Sequence, residues 1–290
     1  MKRAYVDTSQ GQIHYATEGE GEGPPLVLIG SAGRSARVFD GLIQLLSPDF
    51  RVLAVDVMGC GNSDPLPDGA GIEALAGNVV SVLDALGIGR THFYGFQTGN
   101  KIGAALAARW PDRVDRVVLA GQSHSLVPDK AHRDAVILGN VTHYFGERGS
   151  EDAERVKLWA TGFRRISDIW WHGSLFSPPQ TEERFERARL ATVDRVQALP
   201  DAVRTYEANF AYDLGADLRR ITARTLLIEV VTPTEDKTIG RQGQRLLQIM
   251  PGAQLAVLQE EDGPSHAVTL DAQYPELAAL LRRFLSADHL

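Results

Sequence analysis

Thr91-His92-Phe93-Tyr94-Gly95-Phe96-Gln97-Thr98-Gly99-Asn100 runs into Lys101-Ile102-Gly103-Ala104-Ala105-Leu106-Ala107-Ala108-Arg109-Trp110. The first part is a short apolar strand and the last an Ala-rich helix, with a turn between them bracketed by glycines. Gly95 and Gly99 enclose three residues. That spacing predicts a sharp strand-to-helix turn whose central residue, Gln97, is strained and pushed outward into a site. Small residues are needed on both sides because the helix must pack close against its strand.

Working outward toward the N-terminus, Leu26-Val27-Leu28-Ile29 is a continuous apolar run, as expected for a parallel strand buried on both faces. It ends in a backbone-permissive loop, Gly30-Ser31-Ala32-Gly33, and a helix is predicted from about Ala36 to Leu46. A second strand, Arg51 to Asp56, runs into Val57-Met58-Gly59-Cys60-Gly61-Asn62-Ser63-Asp64, and Ile72 to Leu86 reads as a helix. Ahead of these, Tyr5 to Asp7 and Gln12 to Ala16 read as a hairpin around Ser9-Gln10-Gly11. On the C-terminal side, strands are predicted over Arg113–Gly121, Thr225–Val231 and Gln254–Leu258, with helices from about Gly240 to Ile249 and Tyr274 to Leu285. Strands alternating with helices imply a mostly parallel sheet covered on both faces.

Two motifs in this order resemble the α/β-hydrolase fold superfamily. Gly95-Phe96-Gln97-Thr98-Gly99 matches its nucleophile elbow, G-x-S-x-G, except that Gln97 stands at the serine position. Asp56 to Asp64 matches the family loop D-x-x-G-x-G-x-S-D at every defined position. The resemblance implies an α/β fold with a mostly parallel sheet, helices on both faces and a helical cap. Residues 1–124 and 219–290 would form the core. Residues 125–218, helical in character and broken by Pro178-Pro179, would be the inserted cap. Its aromatics, among them Trp159, Phe163, Trp170, Trp171 and Phe176, either pack the cap or line an apolar pocket.

The resemblance also implies roles. His266, in the loop after the last strand, takes the place of the general base. The acid that orients it is Glu235 or Asp236 when counted back from Pro251-Gly252-Ala253, whereas counting forward from Ile228 falls on Thr232 or Pro233, which cannot serve. Glu235 matches the backward count. The loop at Gly30 and Ser31, where the family has His-Gly, would supply one oxyanion-hole amide and Thr98 the other. Gln122 and His124 follow the strand that ends at Ala120, an end that would face the pocket; His124 is either a pocket ligand or the start of the cap. An amide is no serine-like nucleophile. Thr98 and Ser31 are the hydroxyl alternatives, although Thr98 opens a helix and its hydroxyl is expected to cap it. Lys101, one turn into the helix, is expected to be solvated or salt-bridged.

The implied function is a small-molecule enzyme using His266 as base without a covalent serine intermediate. The reaction is hydrolysis by activated water, or a lyase or cofactor-free oxygenase reaction. The alternative is a catalytically silent ligand-binding homologue. Composition is that of an ordinary globular chain: 290 residues, 43% hydrophobic, 23% charged, net charge −7. There is no basic stripe for nucleic acid. No apolar stretch suits a signal peptide or membrane helix, so the expected location is cytoplasmic, without a membrane partner. Eight histidines without ligand spacing and the single cysteine, Cys60, give no metal site. No complete dinucleotide motif occurs, so no cofactor is expected. Homo-oligomerisation is left open.

Overall fold

The computed structural model describes residues 1–121, 126, 129–145, 190, 193–194, 197–198, 201–231, 240–259 and 273–286. Among these, eight strands form one sheet in the order β1-β2-β4-β3-β5-β6-β7-β8. They are β1 (Lys2–Thr8), β2 (Gly11–Glu18), β3 (Leu26–Ile29), β4 (Val52–Val55), β5 (Thr91–Phe96), β6 (Val114–Ala120), β7 (Arg224–Val231) and β8 (Gln254–Gln259). β1 and β2 form an antiparallel hairpin, and β2 pairs antiparallel with β4. The remaining pairs are parallel.

Each predicted element lies within a few residues of its expected bounds. The helix foreseen from Ala36 divides into a 3₁₀ turn, Ala36–Phe39, and α1 (Asp40–Leu46). Then come α2 (Ile72–Ala85) and α3 (Thr98–Arg109). Between β6 and β7 lie α4 (Lys130–Phe145), α5 (Ala202–Ala211) and α6 (Leu214–Leu218). The chain closes with α7 (Gly243–Ile249) and α8 (Tyr274–Leu285).

Strand side chains alternate between two cores, because successive residues point to opposite faces. Val27, Ile29, Leu53, Val55, Phe93 and Leu119 meet Leu75, Val79 and Val82 of α2 and Ile102 and Leu106 of α3. Leu26, Leu28, Val52, Ala54, Tyr94 and Val118 meet Leu42, Ile43 and Leu46 of α1 and Leu277, Leu281 and Phe284 of α8. Burial on both faces explains the unbroken apolar runs in the central strands.

α3 is the most enclosed of these helices: Thr98 to Ala108 are all buried. Its small residues set how closely it can approach. A Cβ on Gly95 would stand 2.0 Å from the Gly99 carbonyl oxygen, and one on Gly99 would stand 2.1 Å from that of Ile29. A Cβ on Gly103 would press on the Phe93 ring at 2.5 Å. The first two contacts are with backbone, which cannot rotate away.

Replacing Gly95 by Ala is therefore expected to lower stability by about 1–3 kcal/mol or more. Gly89, where an added Cβ meets nothing within 4 Å, is the control, and Gly89→Ala is expected to stay within about 0.5 kcal/mol of wild type. Denaturant unfolding of the two variants side by side checks this.

Candidate active site

The turn between β5 and α3 carries the backbone feature that the glycine spacing predicts. Gln97 has φ 51° and ψ −104°, and it is the one non-glycine residue with positive φ among the described residues. Holding a residue with a Cβ in this region costs about 1–3 kcal/mol and persists only where the surroundings enforce it. Here they do. The Gln97 amide donates to the Ala120 carbonyl at 3.0 Å, and its carbonyl accepts from the Asn100 amide at 3.1 Å. The buried Asn100 side chain leans on the carbonyls of Ala120 and Gly121 at 3.4 and 3.5 Å. The Gln97 side chain is half-buried at the ends of β5 and β6.

The neighbouring loop is tied to the same turn. The Gly99 amide donates to the Gly30 carbonyl at 3.0 Å. Thr98 differs from its expected role. It is the first residue of α3 rather than its cap, and its hydroxyl accepts from the Ala32 amide at 3.1 Å. The cap position belongs to Gln97, so a residue already inside the first turn is free to turn sideways toward the β3 loop. Gly30, Ser31 and Thr98 are thus brought together beside Gln97. Ser31 is half-buried, and its carbonyl accepts from the Arg34 amide at 3.2 Å.

Asp56 and its loop explain the second motif. Asp56 is 1% exposed. Its carboxylate accepts from the amides of Ala36 and, at 2.9 Å, Asn62, and it lies 2.9 Å from His14 Nδ1. A Cβ on Gly61 would stand 2.1 Å from an Asp56 carboxylate oxygen. Ser63 donates to the Asp56 carbonyl at 2.7 Å and accepts from the His14 amide at 2.9 Å. Asp64 accepts from the Gln12 amide at 2.7 Å. These residues fold the loop back onto β2 and hold the start of the 3₁₀ turn.

Two further carboxylates, which the sequence did not single out, come from the segment between β6 and β7. Asp194, 1% exposed, accepts from Ser35 Oγ at 2.5 Å and Arg34 Nε at 3.0 Å. Asp201 accepts from the Leu66 amide at 2.9 Å and from Arg204 at 2.6 Å. Cys60 lies close to Asp56, Asp194 and Asp201. Burial, with smaller contributions from these charges, pushes its thiol up to about 12, so it is protonated and unreactive at neutral pH.

Lys101 also departs from expectation. It is 3% exposed rather than solvated and donates to the Asn209 carbonyl at 2.6 Å. Gln122, His124, Glu235, Asp236 and His266 lie outside the described residues, as do the aromatics Trp159, Phe163, Trp170, Trp171 and Phe176. Among the described residues no cluster of three or more His, Cys, Asp or Glu could hold a metal ion, and no helix is long and apolar enough to cross a membrane.

Comparison with known proteins accords with this geometry. A sequence profile of the alpha/beta hydrolase fold matches residues 24–156. The protein named "Putative carbamate hydrolase RutD" of Stutzerimonas stutzeri (strain A1501) is 31% identical over 250 residues, covering 85% of this chain and 88% of that protein. The chain belongs to the alpha/beta hydrolase fold family. A crystal structure of a hydrolase from Pseudomonas aeruginosa PA01 matches this alpha/beta hydrolase over 99% of both chains, with TM-score 0.70 and 27% identity. The enol-lactonase from Burkholderia xenovorans LB400 shares the fold, with TM-score 0.67 and 23% identity over 98% of this chain and 100% of that one.

Removing the Asp56 carboxylate tests its anchoring role. Asp56→Ala would leave the buried amide of Ala36 and the Asn62 amide without their acceptor. The expected loss is about 3 kcal/mol, at roughly 1–3 kcal/mol for each stranded buried group, read from the shift of the denaturant midpoint.

Proposed function

We propose that this chain is a small-molecule hydrolase of the alpha/beta fold that works without an acyl-enzyme on the elbow. The observation that carries the reading is Gln97 at the strained apex of the β5–α3 turn, where the family's G-x-S-x-G pattern has serine. A carboxamide has two N–H donors and a carbonyl acceptor but no nucleophilic oxygen of the serine kind. Gln97 would orient a water through its carbonyl and a substrate carbonyl through its amide.

In this mechanism His266 takes a proton as the water oxygen forms its bond to the substrate carbonyl carbon. The carbonyl electrons move onto oxygen, which the Thr98 amide and an amide of the Gly30–Ser31 loop stabilise. The intermediate collapses by expelling the leaving group, to which His266 returns the proton. Glu235 or Asp236 would fix the His266 tautomer. Gln122 and His124, after β6, would contact substrate, and residues 125–218 would cap the pocket. The name carried by the 31%-identical relative favours hydrolysis at a carbamate-type carbonyl over the lyase and oxygenase alternatives.

A fluorophosphonate probe followed by intact-mass measurement is expected to show no adduct. A stoichiometric adduct on Thr98 or Ser31 would return the protein to hydroxyl-nucleophile chemistry. Turnover on a panel of carbamates and esters is expected to fall about 10²–10⁴-fold in His266→Ala. Ligand affinity should stay nearly unchanged, because a base acts mainly in the transition state. A silent binding protein would show no turnover in either form.

A further inference from the structure

Lys101 sits one turn along α3 from Gln97, in a place where a lysine is seldom enclosed. Its Nζ donates to the Asn209 carbonyl at 2.6 Å and lies 5.8 Å from the centre of the Phe210 ring. Lys130 of α4 donates to the next carbonyl, that of Phe210, at 2.7 Å and pairs with Asp134. Asn209 and Phe210 belong to the last turn of α5, where carbonyls lack helical partners and the helix dipole is negative. Two amino groups, one from the helix that begins at Gln97 and one from α4, therefore hold the same helix end.

This junction is polar, buried and incompletely matched. Among the described residues, the buried Oδ1 atoms of Asp134 and Asn209 have no hydrogen-bond partner. Burial pushes the Lys101 amine down to about 7; Asp134 acts against that shift and Lys130 with it. Among the described residues, Glu207 of α5 and His132 of α4 are exposed, and other charges on the helices around α3 are engaged elsewhere. Asp217 of α6 binds Arg109, Arg220 and Tyr212, and Glu73 and Asp84 of α2 pair with Arg109 and Arg113. On α5 itself, Arg204 is paired with Asp201 and Asp68.

We propose that docking of α5 onto α3 is linked to a proton on Lys101: the docked state favours the neutral amine, and acidification favours release of α5. A Lys101 returned to water would titrate near the ordinary lysine value of 10.5, against about 7 when docked. Between these values the released state holds more protons, so docking strengthens as pH rises above about 7 and is level below it. One proton can change the docking equilibrium by about tenfold per pH unit.

Hydrogen exchange of the whole chain, read by mass spectrometry on peptides spanning α5 and corrected for intrinsic rates, tests it between about pH 6 and about pH 9. Protection of α5 is expected to be level below about pH 7 and to rise above it, approaching about tenfold per unit. Lys101→Met should abolish the rise. Asp134→Asn, which removes the carboxylate that favours the ammonium, should make it begin at lower pH. Flat wild-type protection above about pH 7, or an equal rise in Lys101→Met, overturns the proposal. If Lys101→Met does not fold, an unmoved onset in Asp134→Asn overturns it.

Discussion

The approach of α3 to the strands beneath it governs the rest of the structure. The α-carbons of Gly95 and Gly99 lie so close to the carbonyl oxygens of Gly99 and Ile29 that a methyl group could not be inserted at either position. This contact draws the first turn of the helix down onto β3 and β5. It leaves the residue between them no room to continue the strand or to begin the helix normally. Gln97 then takes up its unusual backbone angles, and amides of α3 and the Gly30 loop are brought to one side of the sheet.

Around that turn the loops are organised by buried carboxylates rather than by apolar packing. Asp56, Asp194 and Asp201 each receive hydrogen bonds from loops that have no strand or helix ladder of their own. A buried carboxylate without donors would be costly, so each one specifies a loop conformation as strictly as a core side chain specifies a packing partner. Asp194 and Asp201 come from the chain between β6 and β7, so that segment helps to shape the loops beside Gln97.

The sheet was legible in the sequence because strands buried on both faces produce unbroken apolar runs, and because glycine spacing records backbone clearance directly. The helix that begins at Thr98 was equally clear. What could not be read was the use of each polar side chain. Thr98 turns to Ala32 rather than capping its helix, a choice set by the neighbouring loop and not by its own position. Lys101 is enclosed because α5 covers it, and no local pattern announces a contact with Asn209 more than a hundred positions away. Asp194 and Asp201 lay in a stretch whose helical character was visible but whose partners were not. The D-x-x-G-x-G-x-S-D pattern was recognised as a signature, and its physical content, a carboxylate that gathers a loop, emerged only in three dimensions.

The pairing of β6 with β7 carries a consequence for how the chain reaches this state. Arg116 stands opposite Arg224 and Ala120 opposite Ile228, although the chain travels through α4, α5 and α6 between them. Closing so long a loop costs entropy, but the cost grows only with the logarithm of its length. The sheet can therefore accept a large excursion at this point with little thermodynamic penalty, while the time needed for the two strands to meet is longer than for β3, β4 and β5, whose connections are shorter. This seam divides the sheet kinetically: β1 to β6 can assemble from nearer contacts, and β7 and β8 join when the excursion returns.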